Sequence, residues 1–320
     1  MRPRILSSCC SLLAAALAAV GCTRAPAPAP PREAPAAPKV ETALRSRLLN
    51  TFPSGMAGLH GLAIDAKDRI YLAGDHGVRI IGERAELLAS WQTSSPARCV
   101  AVGANRVVYV GQQTQVTTYD ATGKRLASWG VKGKERGQFR IITSIAVSGP
   151  NVFVADAGNR RVSRFDISGD FIDDIGERDP DTGYPGIVCP SAFLDCTVDT
   201  KGVLYISNTG NLRVERFRVD GRLLGFWGEA GRRPDQFCGC CNPINLAVMR
   251  DGRVVTAEKA IFRVKVYSPD GEMLALIGPK HFSPDAKGLD VALDSQERIV
   301  VADPGDGNIR VFELEPNVER

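Results

Sequence analysis

The chain has 320 residues, of which 44% are hydrophobic and 24% are charged, so it can bury the core of a large globular module. Its formal net charge is +4, and because Arg2 and Arg4 at the start supply two of those charges, +2 remains for the rest of the chain. So small a net charge gives no indication of nucleic-acid binding, which depends on dense positive charge.

Residues 1–21 have the organisation of an export signal. A positively charged start precedes an uncharged apolar stretch from Ile5 to Val20, and small residues lead to Cys22. This order is typical of a secretory signal peptide rather than of a membrane span. The four residues that end at Cys22 resemble a bacterial lipobox, in which the cysteine is lipid-modified and becomes the first mature residue. We predict a lipoprotein signal peptide at 1–21 and lipidation of Cys22, with an ordinary cleaved signal as the alternative.

Residues 22–44 form a linker that is rich in alanine and proline. The tract from Thr23 to Lys39 cannot form a core and favours an extended polyproline conformation. At its length it would hold a following domain roughly 50 Å from a bilayer. The sequence therefore predicts an exported protein that is lipid-anchored to a bacterial membrane and faces the periplasm or the cell exterior. The choice between inner and outer membrane stays open.

Residues 45–320 contain six copies of a repeat. Each copy has short segments rich in β-branched residues, separated by turns of Gly, Asp, Asn and Pro, as expected for strands. The third segments alternate apolar and basic residues, as in Arg161-Val162 and Arg213-Val214. The spacing between copies suits four-stranded propeller blades. The second segments are centred on Tyr71, Tyr109, Phe153, Tyr205, Val255 and Val300.

The segment RLLNTF, from Arg47 to Phe52, matches the fourth segments ELLASW, KRLASW, DFIDDI, RLLGFW and EMLALI of the first five repeats. The last repeat has only three segments, so its outer edge would be left unpaired. A strand from the start of the repeat region, placed beside Ile309 and Val311, would complete it. We predict an all-β, six-bladed β-propeller with four-stranded antiparallel blades, the last of which is closed by this N-terminal strand.

The repeats resemble those of the NHL-repeat family of β-propellers. The resemblance rests on FVADAGNRRVSRFD (Phe153 to Asp166), YISNTGNLRVERF (Tyr205 to Phe217) and VVADPGDGNIRVF (Val300 to Phe312), and it extends over roughly residues 45 to 314. The chain has no Trp-Asp pair, which makes a WD40 propeller a weaker match. The resemblance implies a binding platform.

Cysteines concentrate in the predicted loops and strand starts on one face of the ring. If Cys22 is acylated and the two earlier cysteines leave with the signal, an even number remains, which in an exported protein favours disulfides. The pairing is open, and a soft-metal or redox site made of thiolates is the alternative. The six cysteines are Cys99, Cys189, Cys196, Cys238, Cys240 and Cys241.

Polar residues at the start of innermost strands are the ligand-binding candidates. Asp195, Asn245 and Asp290 are expected to face the axial channel, where polar groups converge, and His60 and Arg98 precede the innermost strands of the first two repeats. Three histidines, His60, His76 and His281, share this face and could converge on a metal ion. No catalytic residue is predicted, since no nucleophile and base pair or phosphate loop stands out.

These observations favour a membrane-anchored, extracytoplasmic scaffold that binds a protein, peptide or saccharide and whose cysteine-rich loops are held by disulfides. The alternatives are a propeller enzyme, namely a metal-assisted lyase or lactonase, and a thiol-based metal or redox module at the same face. A metal ion at the cysteine or histidine face is the one cofactor left open. We expect a monomer that contacts the membrane only through its lipid.

Overall fold

The structure is a computed structural model and describes residues 42–317. The predicted signal peptide, most of the linker and the predicted lipidation at Cys22 lie outside these residues. No helical segment within the described range is long and apolar enough to cross a bilayer.

The described chain forms six four-stranded antiparallel sheets, which are the blades of the propeller. In the first five blades the strands follow chain order from the innermost to the outermost. Blade one contains β2 (Leu59–Ile64), β3 (Ile70–Gly74), β4 (Gly77–Ile81) and β5 (Leu87–Gln92). Blade two contains β6 (Cys99–Val102), β7 (Val108–Gly111), β8 (Val116–Tyr119) and β9 (Arg125–Trp129). Blade three contains β12 (Ile142–Ser148), β13 (Asn151–Asp156), β14 (Arg161–Asp166) and β15 (Phe171–Ile175).

The second half of the ring repeats this pattern. Blade four contains β16 (Cys196–Val198), β17 (Leu204–Asn208), β18 (Arg213–Phe217) and β19 (Leu223–Trp227). Blade five contains β20 (Asn245–Val248), β21 (Val254–Ala257), β22 (Val264–Tyr267) and β23 (Met273–Ile277). Blade six contains β24 (Asp290–Leu293), β25 (Ile299–Asp303), β26 (Asn308–Pro316) and β1 (Leu44–Pro53). The loops add a short parallel pair, β10 (Val131–Lys132) with β11 (Gln138–Phe139), and a 3₁₀-helix at Pro279–His281.

The hydrophobic core lies between neighbouring blades. Tyr71 and Val78 of blade one pack in the same cluster as Val100 and Tyr119 of blade two. The second strands are almost wholly buried because both of their faces contact adjacent blades, whereas outermost strands such as β5 and β9 are largely exposed. This burial explains why β-branched and aromatic residues fill the second strands.

The predicted ring closure is confirmed. Strand β1 pairs antiparallel with β26, with Leu48 opposite Phe312 and Phe52 opposite Ile309. The strand starts at Leu44, earlier than the predicted Arg47, because its register with β26 continues to Pro316. The N-terminal strand thereby covers an edge that would otherwise be open.

Strand order places two kinds of connection at the same end of every blade. In blade one, Leu59 is opposite Gly74, Gly74 is opposite Gly77, and Gly77 is opposite Gln92. Loops that enter the innermost strands and turns between second and third strands therefore share one side of the ring, which we call the mouth face. Turns at the other end begin with Asp65, Asp199 and Asp294, whose Oδ1 atoms accept backbone N–H bonds, as expected for turn-forming aspartates.

Polar residues at the ends of second strands anchor the loops of the mouth face. Asp156 accepts hydrogen bonds from the backbone N–H groups of Arg140 and Ile141, at 2.9 Å each. Asn208 accepts one from Val188 at 3.0 Å, and Asp303 accepts one from Ser283 at 2.7 Å. These buried side chains hold the incoming loops in place, so they fix the surface on which a ligand would sit.

Candidate functional site

An axial channel of about 280 Å³ runs between the six innermost strands. Polar groups gather in its wall, near the mouth face. The predicted ligand residues Asp195, Asn245 and Asp290 line it together with Cys99 and Cys196. The channel is thus a polar space at the centre of the ring.

Asp290 joins blade six to blade one across the channel wall. Its Oδ2 accepts a hydrogen bond from Leu62 N–H at 2.8 Å, and its Oδ1 accepts one from Val291 N–H at 2.9 Å. Desolvation, followed by the charge of Asp195, raises the pKa of Asp290 to about 7, although the two backbone bonds oppose the rise. This carboxyl group therefore changes its charge near neutral pH.

Asp195 and Asn245 make equivalent links between other blades. Asp195 accepts hydrogen bonds from Leu246 N–H at 2.6 Å and from Cys196 N–H at 2.8 Å, and burial raises its pKa to about 6. The Asn245 amide donates to the carbonyl of Leu289 at 2.7 Å. The three channel residues predicted to bind a ligand thus also hold consecutive blades together, a role that the sequence did not reveal.

A second cavity, of about 480 Å³, lies at the mouth face and shares His60, Arg98 and Asn245 with the channel. We call it the mouth cavity. Phe193 and Leu59 supply apolar wall, while Lys287, Asp285 and Asp75 add charges of both signs. His60 Nε2 lies 2.8 Å from Asp75 Oδ1. All five predicted ligand-binding residues therefore line either this cavity or the channel beneath it.

Sequence reasoning missed Asp75, Asp285 and Lys287, although each falls in a connection of the mouth face. Asp75 stands in the turn after β3, next to His76, and the predicted register puts that turn beside the loop that carries His60. The position of the turn was thus a usable signal for Asp75. No comparable repeat position marks Lys287, which lies in the long loop before β24.

The three histidines do not form a metal site. Within residues 42–317, no group of three or more His, Cys, Asp and Glu side chains has a geometry that could hold a metal ion. His60 is paired with Asp75, whereas His281 packs edge-on against Phe312 with ring centroids 5.4 Å apart. Burial, and then the charges of Lys280 and Arg310, lower the pKa of His281. The predicted convergence fails because the loops direct the His60 and His281 rings toward different neighbours.

The predicted disulfides are absent, since all six cysteines in the described part of the chain are free thiols. Cys99 and Cys196 lie in two different core clusters around the channel, and burial raises the pKa of both thiols. Cys189 donates to the carbonyl oxygens of Ser191 and Phe193 at 2.8 and 3.1 Å. Cys238, which is partly exposed, is also unbonded. Cys240 and Cys241 contact each other, with their Sγ atoms 3.2 Å apart.

A buried charge cluster lies behind the cysteine-bearing loop of blade five. Glu258 forms ion pairs with Arg263 and with Lys265, whose Nζ also donates to the Gln236 carbonyl at 2.9 Å. Burial lowers the pKa of Lys265 to about 8. Glu258, Arg263 and Lys265 all lie in the interior, where the Lys265 ammonium group packs against Phe237, 4.3 Å from the centroid of that ring.

Comparisons with known proteins identify the fold. No family model matches the chain, and no curated protein matches it. A streptogramin B lyase structure matches with a TM-score of 0.58 and 10% identity, covering 84% of this chain and 98% of that one. A gluconolactonase from Xanthomonas campestris matches with a TM-score of 0.57 and 18% identity over 84% of this chain and 90% of that one. The WD40 propeller domain of Doa1 matches with a TM-score of 0.55 and 13% identity over 80% and 78%.

These identities are low enough that the likeness concerns fold alone. The same propeller architecture supports enzymes and scaffold domains, so it does not select a function. The NHL resemblance stays a prediction. The chain is a six-bladed β-propeller with its own mouth cavity and channel.

Proposed function

We propose that this propeller is a binding module that takes a peptide or saccharide segment into the mouth cavity. The observation that carries the proposal is the grouping of His60, Arg98, Asn245 and Lys287 around one cavity of about 480 Å³ with Phe193 in its wall. Pockets of this size with an apolar wall and a few polar groups are typical of specific ligand sites. Charges of both signs suit a polyhydroxylated or zwitterionic ligand better than a polyanion.

Arg98 is the side chain that we assign to recognition. It lines both the mouth cavity and the channel, so a ligand chain that enters the mouth would pass it. Its planar guanidinium group can donate two parallel hydrogen bonds to a carboxylate or to neighbouring hydroxyl groups. Lys287 adds a second cationic group to the same cavity.

Binding to arrays of peptides and glycans, followed by calorimetry on the best ligand, tests the proposal. Arg98→Ala and Lys287→Ala should each weaken binding by at least about tenfold, since loss of a charged hydrogen bond costs about 1.5–3 kcal/mol. Lys201→Ala removes an exposed charge from the opposite face and should leave the affinity unchanged. Equal affinities for all three variants would contradict a site in the mouth cavity.

The second candidate is an enzyme that uses acid–base chemistry, and the His60–Asp75 pair favours it. A carboxylate that accepts a bond from one imidazole nitrogen leaves the other nitrogen able to accept a proton from a substrate. The gluconolactonase with a similar fold makes lactones reasonable substrates to assay. If the protein turns over a substrate, and His60→Ala abolishes turnover but not ligand binding, the result would favour the enzyme over the binding module. A metal-assisted form gains no support, because the described residues lack a fitting ligand set.

We also propose that the propeller is exported and held at a membrane by lipid on Cys22. This part rests on the charged start, apolar stretch and lipobox-like residues of the sequence. An extracytoplasmic position would bring peptide or saccharide ligands of the cell envelope within reach of the mouth cavity.

A further inference from the structure

The loop that enters blade five presents two adjacent thiols to each other. Cys240 and Cys241 lie between β19 and β20, with their Sγ atoms 3.2 Å apart. Cys240 is exposed, whereas Cys241 is only 1% exposed. One sulfur of the pair can therefore meet a partner in solution while the other stays directly behind it.

The loop is fastened on both sides of the pair. The Asn242 amide donates to the carbonyl oxygens of Cys238 at 2.7 Å and of Lys259 at 3.3 Å. Its Oδ1 accepts the N–H of Lys259 at 3.0 Å. Three hydrogen bonds of one buried side chain thus fix the path of the backbone next to the thiols, so their close approach is a property of the loop.

Polar neighbours favour ionisation of the inner thiol. Lys259 Nζ donates to Ser191 Oγ at 3.2 Å and lies 4.8 Å from the centroid of the Phe193 ring. Burial opposes ionisation of Cys241, but hydrogen bonds with Ser191 and Cys240 and the charge of Lys259 outweigh it, so its pKa is lowered. The hydrogen bond to Cys241, and then its charge, raise the pKa of Cys240. Of the two thiols, Cys241 is therefore the first to lose its proton as pH rises, and Cys240 is the second.

We propose that Cys240 and Cys241 form a thiol–disulfide exchange site that reduces an exposed disulfide and is itself converted to a vicinal disulfide. Cys241 first loses its proton to water. The Cys240 proton then moves to the Cys241 thiolate, and the resulting Cys240 thiolate attacks one sulfur of the disulfide RS–SR. The S–S bond of RS–SR breaks, a Cys240–S–SR bond forms, and RS⁻ leaves. The released RS⁻ takes the proton from Cys241 and becomes RSH.

In the second step the Cys241 thiolate attacks the Cys240 sulfur of the mixed disulfide. The Cys240–Cys241 bond forms and the second RS⁻ leaves. The two cysteines lose two electrons in all, and RS–SR gains two and becomes RSH and RS⁻. Adjacent Cα atoms are about 3.8 Å apart across a trans peptide, which is shorter than the usual span of a disulfide. The product would thus be strained and readily reduced again, which makes the reaction reversible.

The proposed site is distinct from the mouth cavity, whose lining includes neither thiol. The other cysteines between residues 42 and 317 do not offer the same chemistry. Cys189 donates its S–H to two carbonyl groups, and Cys99 and Cys196 are buried with raised pKa values. Cys238 lies in the same loop and is partly exposed, which makes it a matched control.

Reaction of the reduced full chain with the aromatic disulfide dithiobis(nitrobenzoate), followed by peptide mapping, tests the proposal. In the unmodified sequence, the peptide with both cysteines should lose two hydrogens and retain no aromatic thiol. Cys241→Ser should instead retain one aromatic thiol on Cys240, because nothing displaces it. Cys240→Ser should leave Cys241 slow to react, and Cys238→Ser should still close the Cys240–Cys241 bond.

A second variant tests whether the reaction depends on ionisation of the two thiols as well as on their short separation. Lys259→Met should slow the reaction of Cys240 several-fold at neutral pH, and raising the pH should restore the rate, because Lys259 acts through ionisation of the pair. A stable aromatic adduct on Cys240 in the unmodified sequence would overturn the proposal. Closure of a bond from Cys189 instead would overturn it as well.

Discussion

At the scale of single residues, polar side chains of the mouth face stabilise the loops as well as line the surface where a ligand would bind. Asp156 is opposite Arg161 across the hairpin of β13 and β14, where opposite charges commonly form an ion pair. The Asp156 side chain instead accepts backbone N–H bonds from the loop before β12, while Arg161 Nε lies 3.3 Å from Asp174 Oδ1. Strand register could be predicted from the repeat, but the path of an irregular loop and its free N–H groups could not.

Irregular loop paths also explain why the contacts of the cysteines could not be predicted from the sequence. Their position on the mouth face follows from the repeat pattern, which predicts the loop that holds each one. Which sulfur meets which depends on side-chain direction within those loops, and the sequence carries no periodic signal for it. Cys240 and Cys241 end in contact with each other, and the Cys189 thiol is engaged by two carbonyl oxygens.

Asp290 gives the stability of the ring a predictable pH dependence. Its pKa is about 7 in the folded state against an ordinary value of 3.8, so the folded state binds its proton more tightly between these pH values. The free energy of unfolding should consequently fall as pH rises from about 4 to about 7. Asp290→Asn should remove roughly half of that slope, because Asp195, with its pKa of about 6, retains its own contribution.

Urea unfolding of the unmodified sequence and of Asp290→Asn from pH 4 to pH 8 measures how the free energy of unfolding changes with pH. Asp251→Asn, which removes an exposed charge from a turn on the opposite face, serves as the control and should keep the original slope. Parallel curves for Asp290→Asn and the unmodified sequence would show that Asp290 titrates normally in the folded state.

At the scale of elements, the most predictable feature was the strand that closes the ring. The last repeat lacks a fourth-strand pattern, and that pattern occurs before the first repeat instead. Pairing of the N-terminal strand with the last repeat accounts for both facts. The prediction succeeded because strand patterns are local and repeated six times. The short strands β10 and β11 and the 3₁₀-helix occur once each in long loops, so no repeat signalled them.

Phe52→Ala tests how strongly the closure holds. Phe52 is 8% exposed and packs in one cluster with Ile309 and Ile70, so we expect the free energy of unfolding to fall by about 3 kcal/mol. Leu49→Ala on the same strand changes a side chain that is 37% exposed and should cost less than about 1 kcal/mol. Chemical denaturation measures the free energy of unfolding of both variants. Similar small decreases in Phe52→Ala and Leu49→Ala would mean that β1 contributes little to the stability of the ring.

At the scale of the whole molecule, the six blades form one ring in which each innermost strand lines the same channel. Side chains from different blades therefore line one space although they are far apart in sequence, as Asp195 and Asp290 do. The repeat allowed this meeting to be predicted. It could not specify a ligand, because the same architecture presents whatever residues its loops carry.

Cell fractionation of Cys22→Ser addresses the proposed anchoring of the whole molecule. The unmodified sequence should accumulate in the membrane fraction and incorporate labelled fatty acid, whereas the variant should incorporate none and leave the lipidated membrane pool. Cys10→Ser, a change within the predicted signal, should behave like the unmodified sequence. Fatty-acid labelling that persists in Cys22→Ser would contradict lipidation at this residue.

Both ends of the described chain emerge on the side of the ring opposite the mouth cavity. Leu44 is opposite Pro316 in the sheet, and Asn317 N–H donates to the Ala43 carbonyl at 3.0 Å. A sensor chip or bead coupled through either end would present the cavity to the fluid above it.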